Sequence, residues 1–134
     1  MPIKDPQIFV SKKTRQVFDE MKKRSEFKQM ENKDLFLLAV LFGYENSSKR
    51  KLAHSDKTQS GLTRERYLSD EDNAILKAIA IDFTDDLSVI EDITKVYSIA
   101  EEYANGGIEY LKEFVFSPGT FTKKYSSKLK NKLK

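Results

Sequence analysis

The chain has 134 residues, enough to bury one core but not two independent ones, so a single domain is expected. It contains no cysteine and a single histidine, His54, which rules out disulfides, thiolate zinc sites and a cysteine nucleophile and leaves no histidine cluster for a metal or a triad. The net charge of +3 is divided unevenly: residues 1–66 hold 15 Lys/Arg against 9 Asp/Glu, residues 67–116 hold 3 against 12, and residues 117–134 hold 6 against none. A chain that is basic, then acidic, then basic suggests an electrostatic partner for its ends, nucleic acid being the commonest. The longest apolar run, Leu35–Phe42, falls far short of the roughly 20 residues that cross a bilayer, and the first residues lack a signal-peptide hydrophobic region. A soluble, cytoplasmic protein with no membrane contact is the expectation.

In chain order, residues 1–7 carry two prolines and read as an extended lead-in, and Ile8–Val10 is a candidate for a very short strand. Ser11 offers a cap to a helix that lines up Val17, Phe18, Met21 and Phe27, with Lys12, Lys13, Arg15, Lys22, Lys23 and Arg24 forming a basic face. Asn32 is the expected cap of the next helix, which is apolar almost all round and ends near Gly43. Such a helix is either buried in the centre of the domain or shared with a second copy in a homo-oligomer. Residues 45–68 form a long basic loop, with weak strand signals at Lys51-Leu52 and Tyr67-Leu68. A connection of that length in a compact domain is functional or disordered.

Ser69 with Asp72 three residues on makes a capping box for a helix whose Ile75, Leu76, Ile79 and Phe83 recur at helical spacing. Residues 84–92 read as a turn or a single helical turn. The next helix carries Ile93, Val96, Tyr97, Ala100 and Tyr103 or Ala104 on one stripe. Asn105-Gly106-Gly107 then leaves two readings. The preferred one ends the helix there in a tight turn and starts a last short helix over residues 108–116; the other keeps one helix and brings a neighbour close to the glycine backbone. The fold class is therefore all-α: a small helical bundle of about five helices over residues 1–116 with a basic tail at 117–134.

The cations Lys49, Arg50, Lys51, Lys57, Arg64 and Arg66, with the tail residues Lys123, Lys124, Lys128 and Lys130, suit DNA phosphates, which need positive charge but little geometric precision. Tyr44, Tyr67, Phe121 and Tyr125 lie close enough in sequence to stack on bases or to anchor the core. His54 reads as a surface loop residue, with phosphate contact or base catalysis the lesser reading. Asp70, Glu71, Asp72, Asp82, Asp85, Asp86, Glu91 and Asp92 sit at helix ends, where carboxylates are favoured by the helix dipole. Glu101, Glu102 and Glu109 around the glycines are the better acidic candidates, and a small metal-dependent nuclease built on them is the least favoured reading. No phosphate loop, dinucleotide fingerprint, metalloprotease or nucleophile-elbow pattern occurs, so no cofactor, metal or catalytic residue is assigned.

Three segments in order, "DLFLLAVLFGYENSSKRKL", "YLSDEDNAILKAIAIDFTDDLSVI" and "SIAEEYANGGIEYLKEFV", resemble the small Dnd-system-associated proteins, which accompany the machinery of DNA phosphorothioate modification and the restriction linked to it. The most specific part is the motif with Glu101, Glu102, Tyr103, Asn105, Gly106 and Gly107. The resemblance implies a setting of antiviral defence and other defence-system proteins as partners, and it carries over no catalytic residue. The order of a short apolar stretch, a basic amphipathic helix and an apolar helix at the N-terminus is also similar to ribbon-helix-helix DNA-binding regulators. The combined expectation is a non-enzymatic accessory protein that binds DNA backbone, with a protein–protein adaptor as the alternative.

Overall fold

The computed structural model describes residues 5–117. Among them the fold is mostly helical, four α-helices and a two-strand sheet: β1 (Gln7–Ile8), α1 (Lys12–Lys22), α2 (Asn32–Glu45), β2 (Thr63–Arg64), α3 (Asp70–Thr84) and α4 (Ile93–Phe116). Single 3₁₀ turns lie at His54–Asp56, Glu65–Tyr67 and Leu87–Glu91.

The helix starts are set by local chemistry. Ser11 Oγ accepts the Thr14 N–H at 2.9 Å and opens α1, whose Thr14, Val17, Phe18 and Met21 face the core. At α3 the Asp72 N–H donates to Ser69 Oγ at 3.0 Å and the Ser69 N–H donates to the Asp72 carboxylate at 2.9 Å, a reciprocal box. Asp92 accepts the Lys95 N–H at 3.2 Å and opens α4. At α2 the expected cap is displaced by one residue: Glu31 is the N-cap, and its N–H donates to the Asp34 carboxylate at 3.1 Å. Asn32 cannot cap because its side chain is engaged elsewhere, accepting from Lys22 Nζ and donating to the Leu62 carbonyl at 3.2 Å.

The preferred reading of Asn105-Gly106-Gly107 is overturned. α4 runs unbroken through 24 residues, about 36 Å at 1.5 Å per residue, and neither glycine takes a positive φ. Each glycine costs a helix about 1 kcal/mol relative to alanine, which packing here outweighs. A Cβ on Gly107 would collide with the Ala39 carbonyl oxygen and the Gly43 backbone, and a Cβ on Gly106 with the Ser48 carbonyl. Gly43, expected to end α2, lies inside it instead, and a Cβ there would strike the Tyr103 carbonyl. Gly43 and Gly107 thus let α2 and α4 cross backbone to backbone, while Gly106 lets the connection after α2 approach α4.

That crossing organises the core. Leu35, Phe36, Ala39 and Val40 of α2 are fully buried, as are Val96 and Leu111 of α4, with Ile8, Phe18, Met21 and Phe27 closing one side. α2 is therefore the central helix, buried on more than one side. α3 lies across the other side, held by Lys33 to Asp72 at 2.9 Å, Tyr44 Oη to Asp82 at 2.7 Å and Tyr97 Oη to Asn73 at 2.7 Å. Only a narrow stripe of α3 is buried, Leu76, Ile79 and Ala80, so Ile75 and Phe83 stand 41% and 49% exposed instead of joining the core.

The strand lies close to its expected place, but its partner does not. β1 pairs antiparallel with β2, Gln7 opposite Arg64 and Ile8 opposite Thr63, while Lys51-Leu52 and Tyr67-Leu68 form no strand. Backbone bonds from Leu62 to Ile8 (2.8 Å), Glu65 to Pro6 (3.0 Å) and Thr58 to Val10 (3.1 Å), with a bridge between Ser11 and Lys57, lay the second half of the 45–68 loop along the N-terminal segment. β1 is thereby satisfied within its own chain, which differs from the ribbon-helix-helix pattern of strands pairing between two copies.

Candidate nucleic-acid interface

The outer face of α4 holds the basic connection in place. Ser48 Oγ donates to the Gly106 carbonyl at 3.2 Å, and the Arg50 N–H donates to the Glu102 carbonyl at 3.0 Å. Asn105 Nδ2 then donates to the carbonyls of Lys51 at 3.0 Å and Arg50 at 3.4 Å. The Glu102 carboxylate forms an ion pair with Lys49, whose ammonium also sits 4.2 Å above the half-exposed Phe83 ring. Tyr103 meets the rings of Tyr44 and Phe83 edge-on at 5.8 and 6.1 Å. Within the motif, Glu102, Asn105 and Gly106 share one helix face and cradle residues 48–51, while Glu101 and Gly107 face elsewhere.

Of the six loop cations read from sequence, three are ion-paired. Lys49 meets Glu102, while Arg64 (3.4 Å) and Arg66 (2.6 Å) share the Asp5 carboxylate, which also accepts the Arg66 N–H at 2.8 Å. Burial works to raise the Asp5 pKa, but these Arg66 and Arg64 interactions outweigh it and hold the carboxyl below its ordinary value. Arg50, Lys51 and Lys57 make no ion pair among the described residues, and Arg50 and Lys51 are exposed. Lys123, Lys124, Lys128 and Lys130 lie outside the described residues, as do Phe121 and Tyr125.

Two cations outside the candidate DNA-contact set join this surface. Lys13 of α1 pairs with Glu109 of α4, and Lys112 and Arg50 stand close enough to help lower the Glu109 pKa, the Lys13 hydrogen bond being the main cause. One carboxylate thus lies among three cations drawn from three segments. The basic face of α1 was the readable signal for Lys13; nothing local marked Lys112.

Lys57, Arg64 and Arg66 converge on a second feature, a groove of about 740 Å³ bounded by β1, β2 and α4 and also lined by Phe9, Tyr97 and Glu101. Glu101 is 8% exposed, and its Oε2 accepts the Phe9 N–H at 2.6 Å. Desolvation pushes its pKa up, against the opposing pull of the Phe9 N–H and Lys57. His54 is exposed at the start of its 3₁₀ turn.

The three glutamates of the nuclease reading do not converge. Glu101 faces Phe9, Glu102 faces Lys49 and Glu109 faces Lys13. Asp72, Asp86 and Asp92 cap helical turns, Asp85 closes α3 in the left-handed conformation (φ 54°), and no group of three or more carboxylate or histidine side chains among the described residues is arranged to hold a metal ion.

A family model described as DNA sulphur modification system-associated protein 4 matches residues 7–133, nearly the whole chain. The chain belongs to that family. The DNA sulphur modification system-associated protein 4 family ties the protein to a Dnd system, as the three quoted segments led one to expect. No curated protein and no solved structure matches it. Among the described residues of this family member, no helix is long and apolar enough to cross a membrane.

Proposed function

We propose that the protein is a non-enzymatic accessory component of a DNA sulphur modification system that holds DNA by its phosphate backbone. The observation that carries this reading is the cradle on α4. Glu102 and Asn105 fasten the backbone of residues 50–51, so that the side chains of Arg50 and Lys51 stand exposed with no ion pair among the described residues, Arg50 sharing the surroundings of Glu109 with Lys13 and Lys112. Lys57 continues the positive surface toward the groove. Phosphate contacts of this kind give affinity without sequence preference and release counterions.

The test is a fluorescence titration of duplex DNA over a range of salt. Affinity should fall with salt with a logarithmic slope of about −0.9 per phosphate neutralised, and changing Arg50, Lys51 and Lys57 together to alanine should make the slope shallower by up to about three. Lys49→Ala should move it less, because Lys49 is already neutralised by Glu102. Equal slopes and affinities in the triple variant and the parent refute the backbone-binding reading. The adaptor reading is favoured by a different observation: Phe83 (49% exposed), Leu87 (69%) and Ile90 (38%) stand in a stretch that also bears Asp82, Asp85, Asp86 and Glu91, a composition suited to a basic protein surface.

A further inference from the structure

The groove beside β1 has cations at its rim and a carboxylate in its floor. At the rim, Arg64 and Arg66 share the Asp5 carboxylate, and Lys57 makes no ion pair among the described residues. In the floor, Glu101 gives Oε2 to the Phe9 N–H, and its Oε1 has no hydrogen-bond partner among the described residues. Yet no side-chain polar atom of these residues is both sealed from solvent and unpartnered, so Oε1 opens into the groove that Glu101 lines. A backbone phosphate is repelled by such a floor. The site instead asks for a ligand with an anion at one end and an N–H donor at the other, and with a flat or apolar body to lie against Phe9 and Tyr97.

A base inside a duplex cannot meet these demands together: its exocyclic amine keeps one N–H in the major groove, but its faces are stacked on neighbouring pairs and cannot lie against Phe9 and Tyr97. An unpaired nucleotide can. We propose that the groove holds one unpaired nucleotide of a DNA strand, with its phosphate at Lys57, Arg64 and Arg66 and the exocyclic amine of its base on Glu101. This rests on the DNA-binding reading above and names the kind of strand that the groove takes. Cytosine presents its N4 amine to the carboxylate, whereas thymine presents the O4 acceptor at the same place. The groove therefore prefers cytosine to thymine.

Single-stranded oligo-dC and oligo-dT of equal length carry the same phosphate charge, so that term cancels in their difference in affinity for the full chain, and the change in this difference on Glu101→Gln reports the base contact. The parent should favour oligo-dC by roughly fivefold or more. In Glu101→Gln the amide oxygen keeps the Phe9 N–H and the amide NH₂ turns into the groove, a donor that suits thymine O4, so the preference should reverse. A merely structural Glu101 would not move the ratio in either direction. Ser98, exposed on α4 and part of the groove wall, gives a second variant that leaves the core untouched: Ser98→Trp should fill the groove, weaken both single strands and leave duplex affinity unchanged. Equal binding of the two strands by the parent, or parental single-strand affinity in Ser98→Trp, overturns the assignment even if Glu101→Gln fails to fold. If duplex binding survives in that case, the backbone reading stands and only the groove assignment falls; if the parent binds neither duplex nor single strand, both fall.

Discussion

Replacing Gly107 by alanine adds one methyl group at the point where α4 crosses α2. The new Cβ would lie 2.9 Å from Gly43 Cα and closer still to the Gly43 nitrogen and the Ala39 carbonyl oxygen, all of them backbone atoms of a helix that cannot rotate out of the way. Two terms oppose each other. Alanine in place of a helical glycine stabilises by about 1 kcal/mol. Overpacking a close contact costs about 1–3 kcal/mol, and the upper end applies when both sides are helix backbone, leaving a net loss of about 2 kcal/mol. For a domain of this size that is a fall of roughly 8 °C in Tm. Urea and thermal unfolding followed by circular dichroism measure it directly. Gly43→Ala, which meets the Tyr103 carbonyl, should behave alike; Gly106→Ala should cost less, because the carbonyl it meets belongs to Ser48 in a connection that can shift. A neutral or stabilised Gly107→Ala protein would refute the close crossing, whatever the outcome at Gly106.

Asn105→Ala should lose about 1 kcal/mol and speed hydrogen exchange at the Arg50 amide, and it should weaken DNA binding although it removes no charge, since Asn105 fastens the carbonyls of Arg50 and Lys51. Exchange unchanged at Arg50 would show that the cradle does not hold the segment. Glu101 should titrate above its ordinary value of 4.5 in carbon-detected NMR. Since folding raises this pKa, its contribution to stability is present below the ordinary value and is lost as pH rises through the folded value. Glu101→Gln, which has no such charge, should therefore gain stability relative to the parent as pH climbs through that window, and a pH-independent difference would contradict the burial. Ser69→Ala should lower stability by about 1 kcal/mol while Ser69→Asp keeps most of it, as judged by urea midpoints.

The features that could be read from the sequence are those decided within one helical turn. Ser11 caps α1 and Ser69 caps α3 because each side chain reaches an N–H three residues on, and the acids at 85, 86 and 92 mark helix ends for the same local reason. The candidate cations were visible as composition. Their pairing was not: Lys49, Arg64 and Arg66 are matched by Glu102 and Asp5, which lie 53, 59 and 61 positions away in sequence, while Arg50, Lys51 and Lys57 make no ion pair among the described residues.

By itself the sequence determined that the chain is helical, that its second helix is too apolar to face water, and that its charge is divided between basic and acidic stretches. Periodicity, caps and composition act over a few residues and survive without tertiary context. Only the tertiary structure decided whether Gly106 and Gly107 end a helix, because local propensity favours a break by about 1 kcal/mol per glycine while the backbones of Ala39, Gly43 and Ser48 fill the space a side chain would take. It also placed β2 at Thr63–Arg64, because a two-residue strand has almost no propensity of its own and exists through its bonds to Gln7 and Ile8. The groove, with its cations above a buried carboxylate, belongs to the same class. Its residues come from segments between positions 5 and 101, and their meeting depends on how α4 lies against β1.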